Sequence, residues 1–473
     1  MKVLLINPPE LHPVQANLPP AVERLRGATP PIGLMYAAAA ARATGEHQVT
    51  LLDAHAEGLD YPSLARRVRE AAPEVVGLTA TTFTLLDALL TARTVREAAP
   101  PAAIVCGGLQ PFLYPQETMR LGAFDVGLQG EADHTFQQLL AALAAGENLA
   151  HIPGIVLLRD GEVVRQPAPP PVTDLDALPF AAHDLTPLAR YWSLVTDRAP
   201  VGIMLSSRGC PFHCAFCSQS ATGKVHRRRS PNNIVEEMVW CDALGIRYLL
   251  FYDELMTIEK THTLALCATI RERRLDLPWL ARSRVGTVDG ETMREMKRAG
   301  CDTITMGIEA GSPRVLQRLN RPTDLKATID LFHQARQAGL RTIAYFMIGN
   351  PDETWDDVRA SLAVAKKAAP DMVHASLYTP YPATELYAQG LRTGLFASDY
   401  WREFSAAPDE KFCTRLWCAP GDEPRLLQRL RWFYRRFYLR PAYILQRLRA
   451  IRTWRDLVVH LRGLRTVLSL GER

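Results

Sequence analysis

The tightest constraint on this chain is ten residues long. Arg208-Gly209-Cys210-Pro211-Phe212-His213-Cys214-Ala215-Phe216-Cys217 sets three cysteines at C-x3-C-x2-C spacing, just after a strand-like run, Ile203–Ser206. Three thiolates confined to one short loop converge, and thiolate is a soft ligand suited to iron–sulfur clusters, zinc or Cu(I). Held this way, a four-iron cluster keeps one iron without a protein ligand. Structural zinc wants a fourth protein ligand, often from a second C-x2-C pair. After Cys217 the next cysteines are single: Cys241, Cys267 and Cys301. Cysteines this close would staple poorly as disulfides. With Met1-Lys2 running straight into an apolar stretch and no leader expected, the nine cysteines fit a reducing cytoplasm. Structural thiols and a zinc knuckle stand as the competing readings.

What surrounds the loop predicts the fold. In residues 1–150 apolar runs (Val3–Ile6, Val49–Leu52, Val75–Thr79, Ala103–Cys106, Asp125–Leu128) alternate with helical stretches (Pro31–Thr44, Tyr61–Ala71, Leu85–Glu97, Pro115–Leu121, Glu131–Ala144). Strands apolar throughout are covered on both faces, which argues a parallel, doubly wound sheet. Such sheets bind ligands beyond the carboxyl ends of their strands. The loops there are Asn7-Pro8-Pro9, Asp53–Gly58, Thr79–Thr84, Gly107–Gln110 and Gln129-Gly130-Glu131, and their glycines let a bulky ligand approach the backbone. Residues 151–200 read as a linker, a hairpin over 155–165 followed by the stiff, proline-rich Gln166–Pro171.

Residues 201–390 repeat a strand–helix unit six times, predicting an incomplete parallel barrel with its site at the C-terminal strand ends. The polar residues fall there: the cysteines, Asp253-Glu254, Arg282, Arg284, Glu309 and Gly349-Asn350-Pro351. Residues 391–473 end in two basic amphipathic helices, Leu426–Leu439 and Tyr443–Ile451, broken at Arg440-Pro441. Residues 424–473 hold thirteen arginines against Asp456 and Glu472, within a net charge of only +5. The arginines read as a solvated helix face, as a membrane-surface patch reaching a lipid-like substrate, or as a nucleic-acid patch. No recognition motif accompanies the last, so no nucleic-acid partner is expected. No apolar run reaches the roughly 18 residues of a membrane span, and Cys413 and Cys418 read as ordinary thiols.

The cysteine spacing, with Phe216 just before the last cysteine, resembles the radical S-adenosylmethionine (SAM) superfamily. That resemblance implies a [4Fe–4S] cluster on Cys210, Cys214 and Cys217, whose open iron chelates SAM. Reduction by an external electron donor then yields a 5′-deoxyadenosyl radical. Phe251-x-Asp253-Glu254, Gly307-Ile308-Glu309-Ala310-Gly311-Ser312, Phe346–Thr354 and Tyr381–Tyr387 resemble that superfamily's SAM-side motifs. They imply SAM contacts at Phe216, Asp253, Glu254, Arg284, Glu309, Gly349 and Asn350. Capping of the next helix is the other reading of Asp253 or Glu254, and a structural ion pair that of Arg284.

The first segment resembles the cobalamin-binding domain that precedes many radical SAM cores, through Asn7-Pro8-Pro9, Pro31-Ile32-Gly33-Leu34, Gly107-Gly108 and Asp125-x-Gly127-x-x-Gly130-Glu131. The implied cobalamin contacts are Asn7, Pro8, Pro9, Thr79, Gly107, Gly108, Gly130 and Glu131. Asp53-Ala54-His55-Ala56-Glu57-Gly58 spells the D-x-H-x-x-G by which some cobalamin proteins ligate cobalt. It follows the second strand instead of the first, so His55 reads as a loop histidine. Phe433–Pro441 resembles the tail of the subgroup holding anaerobic magnesium-protoporphyrin cyclases and hopanoid-modifying enzymes. The whole implies a cytoplasmic, cobalamin-dependent radical enzyme that methylates an unactivated carbon of a small-molecule or lipid-like substrate. Oxidative cyclisation is the alternative within the same machinery; an Fe–S or corrinoid sensor and a zinc hydrolase are the alternatives of other classes.

Overall fold

The computed structural model describes residues 1–14, 27–218 and 224–450. The expected helix end at Ile451 and the basic stretch 451–473 lie outside the described residues. Two sheets organise the chain. The first orders seven strands β2-β1-β3-β4-β5-β6-β7: β1 Lys2–Asn7, β2 Gln48–Asp53, β3 Val75–Thr79, β4 Ala103–Gly107, β5 Val126–Leu128, β6 Ile155–Arg159 and β7 Glu162–Arg165. The first five are parallel, and the hairpin β6–β7 adds antiparallel to the β5 edge. The hairpin expected in the linker therefore continues this sheet, because Ile155 and Val156 need burial and find it against β5.

The second sheet is the expected half-barrel. β8 Val201–Met204, β11 Tyr248–Phe251, β12 Trp279–Arg284, β13 Cys301–Glu309, β14 Arg341–Ile348 and β15 Met372–Leu377 run parallel in the order β15-β14-β13-β12-β11-β8. Between β8 and β11 a small antiparallel ribbon, β9 Ser207–Arg208 with β10 Arg227–Arg228, brackets the cysteine loop. Outward-facing Phe251, Ile304, Met306, Phe346 and Ala375 pack under the surrounding helices. Those helices start on side-chain caps. Ser230 Oγ accepts from Asn233 N at 3.2 Å with Pro231 at the first position, and Thr354 and Asp357 form a capping box.

The helix Glu423–Tyr438 buries Leu426, Leu430, Phe433, Tyr434 and Phe437 at helical spacing. This stripe faces the barrel, so the apolar side of this helix is covered. Tyr434 Oη donates to the Ala375 carbonyl (2.7 Å) and accepts from the Ala375 amide (3.0 Å). Tyr438 does the same at Val373 (2.8 and 2.9 Å). β15 is an edge strand, and phenol hydroxyls stand where a seventh strand would pair with it. Two further helices, Glu385–Arg392 and Tyr400–Ala406, carry an aromatic cluster (Tyr387, Tyr400, Trp401, Phe404) that packs on Val14, Leu85 and Tyr114 of the first sheet's layer. Among the described residues no helix is long and apolar enough to cross a membrane.

Candidate active site at the junction of the sheets

The cysteine loop is pinned along its length. Ala215 N donates to Leu319 O (3.0 Å) and Leu386 N to Ala215 O (3.1 Å), while Asn320 Nδ2 donates to His213 O (2.7 Å). At its root Arg208 makes a two-pronged contact with Asp133 of the first sheet's layer (2.8 and 3.1 Å). Cys210, Cys214 and Cys217 are half-buried and in no disulfide. Arg284 Nη1 lies 3.3 Å from Cys214 Sγ with its guanidinium 3.8 Å from the Phe212 ring, and Arg321 Nη1 lies 3.7 Å from the same sulfur. Among the described residues no three ligating side chains stand together as a metal site, so the fit to an anionic iron–sulfur cluster is one of chemistry: three soft donors on one pinned loop with positive charge beside them.

The adjacent acids Asp253 and Glu254 part company. Asp253 is fully buried and accepts from Ser206 N (3.1 Å), Ser206 Oγ (2.8 Å) and Ser207 Oγ (2.5 Å), bracing the turn that launches the cysteine loop. It neither caps the next helix nor is left free for a ligand. Glu254 faces the mouth: burial raises its carboxyl pKa, Asp253 adds to the rise, and the Gly209 backbone amide opposes it. Across the mouth Glu309 ends β13 at φ 66°, a left-handed conformation costly for a residue with a Cβ. Burial raises its pKa against the pull of Arg321 and Arg284, and Arg321 Nε sits 3.6 Å from its Oε1. A Cβ on Gly307 would lie 2.0 Å from that same oxygen, so the glycine makes room for the carboxylate. Phe216 packs toward Ala310 and Tyr378, at the ends of β13 and β15. Gly349 N donates to Glu353 Oε2 (2.5 Å), and Asn350 Nδ2 to Met347 O (2.9 Å) and Glu353 Oε1 (3.0 Å). That turn is closed on itself.

Loops of the first sheet and the end of the cysteine loop wall a cavity of about 400 Å³. Its wall includes Glu10, Thr81–Thr84 and Leu109 from the loops after β1, β3 and β4, and Ser218, Tyr381 and Pro382 from the barrel side. The expected Asn7, Pro8, Pro9, Thr79, Gly107 and Gly108 form the shoulders of those loops, with the wall supplied by the next residues along. Gly108 (φ 96°) has no room for a Cβ, which would lie 2.6 Å from Ala80 O. Gly130 likewise turns at φ 80°. Glu131 is engaged elsewhere: its carboxylate pairs with Arg227 (2.5 Å) and Arg208 (3.5 Å) and accepts from Val172 N (2.9 Å). It ties the first sheet to the strands flanking the cysteine loop. The D-x-H-x-x-G stretch is a one-turn helix, Ala54–Glu57, capped by Asp53 and closed by Gly58 at φ 68°. Buried Asp53 accepts from Asn7 Nδ2 (2.8 Å), Ala56 N (3.0 Å) and Tyr191 Oη (2.8 Å), while His55 Nδ1 stands 4.0 Å from Glu10. The pattern of residues is explained by a capped turn. A cavity walled by loops at the carboxyl ends of a doubly wound sheet, reaching Ser218 at the end of the cysteine loop, lies where such sheets take a ligand.

Arg321 was not anticipated. It follows the helix Pro313–Arg318 in a loop, and only the fold brings it to Cys214 and Glu309. Tyr252, Tyr345 and His374, inside the barrel, were also missed.

Residues 204–365 match the family model of the radical SAM superfamily, and residues 20–140 that of the B12 binding domain. The chain is 32% identical over 450 residues to a protein of Pyrococcus horikoshii named an uncharacterized methyltransferase, the match covering 94% of each. It is 27% identical to the anaerobic magnesium-protoporphyrin IX monomethyl ester cyclase of Rubrivivax gelatinosus, covering 94% of this chain and 78% of that one. The solved structure of OxsB, a cobalamin-dependent SAM radical enzyme with aqua-cobalamin and SAM bound, superposes with a TM-score of 0.74 over 99% of this chain and 72% of that one, at 15% identity.

Proposed function

We propose a function from one premise: this chain belongs to the radical SAM superfamily and carries a B12-binding domain ahead of its radical SAM domain. It is an enzyme whose cofactors are a [4Fe–4S] cluster, SAM and cobalamin. When bound, the cluster and SAM supply a radical that takes hydrogen from an unactivated carbon, and the corrinoid supplies a methyl group to it. The reaction proposed is C-methylation of a small-molecule or lipid-like substrate. The observation carrying it is the shared cavity: Ser218, next to Cys217, and Thr81–Thr84, from the corrinoid side, wall the same space.

In this reading Cys210, Cys214 and Cys217 hold the cluster. Glu254 accepts from the SAM ammonium, and Arg284 and Arg321 donate to its carboxylate. Glu309 takes the ribose hydroxyls, and Phe216 with the Gly349-Asn350 turn borders the adenine. The loops shouldered by Asn7, Pro8, Pro9, Thr79, Gly107, Gly108 and Gly130 seat the corrinoid, with Glu131 bracing the seat from behind. The division proposed is 1–150 for the corrinoid domain, extended by the hairpin over 155–165 that its sheet takes in, the rest of 151–200 for the linker, 201–390 for the radical core and 391–473 for the tail. An external electron donor completes the system. Peripheral membrane contact through the tail, also part of the proposal, would at the helix Glu423–Tyr438 use the arginine face, since the apolar face of that helix lies on the barrel.

Anaerobic reconstitution with iron, sulfide and hydroxocobalamin tests the reading. About four irons and one cobalt per chain are expected, with 5′-deoxyadenosine and S-adenosylhomocysteine formed from SAM and reductant; Cys214→Ala loses the iron. Iron and 5′-deoxyadenosine without S-adenosylhomocysteine would favour cyclisation, the reading that similarity to the cyclase supports. Iron without cobalt would remove the corrinoid from the proposal. A chain that takes up no iron would overturn it.

A further inference from the structure

Inside the half-barrel, below the mouth, stands a guanidinium with no hydrogen-bond or ion-pair partner among the described side chains. Successive residues of a strand face opposite sides. Ala281 packs outward in the main core, so its neighbour Arg282 faces the lumen; by the same rule Tyr345, between Ala344 and Phe346, and His374, between Val373 and Ala375, face it too. Arg284 has Cys214 as its partner and Glu309 has Arg321. The Arg282 guanidinium forms no hydrogen bond or ion pair among the described residues; it lies 3.5 Å from the centre of the Tyr252 ring. Glu254 feels its charge but is not within ion-pair distance. Tyr252 and Tyr345 are 41% and 38% exposed despite their place in the barrel, so the lumen is open. His374 Nε2 is buried without a hydrogen-bond partner, and its ring centre is 5.5 Å from that of Tyr345. Beneath them the lumen closes on an apolar layer that includes Leu250 and Leu280.

Arg282 has only a ring contact for its charge, and the buried His374 Nε2 without a partner carries a desolvation cost. Both are relieved by a ligand that brings negative charge and acceptor oxygens. The planar guanidinium fork matches carboxylate and phosphate oxygens two at a time. We infer that the lumen binds an oxyanion of the substrate, a carboxylate or phosphoryl group, through Arg282 with Tyr345 and His374 beside it. The anion end is thereby anchored deep in the barrel and the carbon to be modified is presented at the mouth. This rests on the reading of the mouth as the reaction site.

The test uses the full chain loaded with cluster and SAM, so that the mouth arginines are engaged, and two probes, acetate and inorganic phosphate, each against chloride at equal ionic strength. Iron and SAM content are measured first; their absence from wild-type protein overturns the reading of the mouth and the inference with it. With both present, wild-type protein is expected to bind a probe in the millimolar range, seen as a raised Tm and a change in tyrosine absorbance. Arg282→Gln should weaken that binding by about tenfold or more, with iron and SAM retained, and Arg282→Lys by less. If Arg282→Gln does not fold, Arg282→Lys and Tyr345→Phe carry the comparison. Tighter phosphate than acetate assigns a phosphoryl group, and the reverse a carboxylate. No binding of either probe, or binding indifferent to residue 282, overturns the inference alone.

Discussion

Gly311 and Glu353 show how single residues hold the mouth in shape. A Cβ on Gly311 would lie 2.5 Å from Ser361 Cα and 2.6 Å from Ala360 O, backbone atoms of a helix that cannot step aside. Gly311→Ala is therefore expected to lower stability by about 1–3 kcal/mol, read from urea midpoints. Gly307→Ala meets only the ends of the Glu309 and Arg321 side chains, so it should spare stability and weaken SAM binding. Glu353 carries a different liability. Burial pushes its carboxyl from the ordinary range up to about 7. Below the unfolded value the group is protonated in both states and contributes nothing. As pH rises toward 7 the unfolded chain gives up the proton that the folded one keeps, so stability falls. Above 7 the penalty is complete, at most about 3 kcal/mol. Glu353→Gln should flatten the decline between pH 5 and 8, measured by urea melts across that range.

The expected helices and strands formed because their signals were local: apolar runs of strand length, and caps such as Ser230-Pro231. The tyrosines of the helix Glu423–Tyr438 act at this scale. Each of Tyr434 and Tyr438 satisfies one amide and one carbonyl of β15, and losing one hydroxyl leaves both groups without a partner. Tyr434→Phe and Tyr438→Phe should each cost about 1–3 kcal/mol, and together more, by the same urea assay. Nothing in the sequence announced this. The tail read as basic and amphipathic, and which surface its stripe would meet was a question of long-range packing. The same limit applies at Asp253-Glu254: neighbouring acids after a strand point in different directions, and only the fold says which braces the loop and which faces the mouth. The ribbon of β9 and β10, two residues each, is too short for a periodic signal. The helices Glu385–Arg392 and Tyr400–Ala406 are held by aromatic contacts across the molecule more than by their own pattern.

At the scale of the whole molecule, the two sheets are bolted together beside the cysteine loop, by Arg208 with Asp133 and Arg227 with Glu131. Asp133→Ala leaves a mostly buried guanidinium with only Glu131 at 3.5 Å. It should cost up to about 3 kcal/mol and lower the cobalt retained per chain after desalting, while iron uptake by the loop persists. The position of the tyrosine helix also has a consequence in time. About 60 residues separate the end of β15 from Tyr438. At about 5–20 residues per second, the ribosome delivers the cover roughly 3–12 s after the strand it protects. For that interval each nascent chain offers an adhesive border to its neighbours on the same messenger, and slower translation lengthens the exposure.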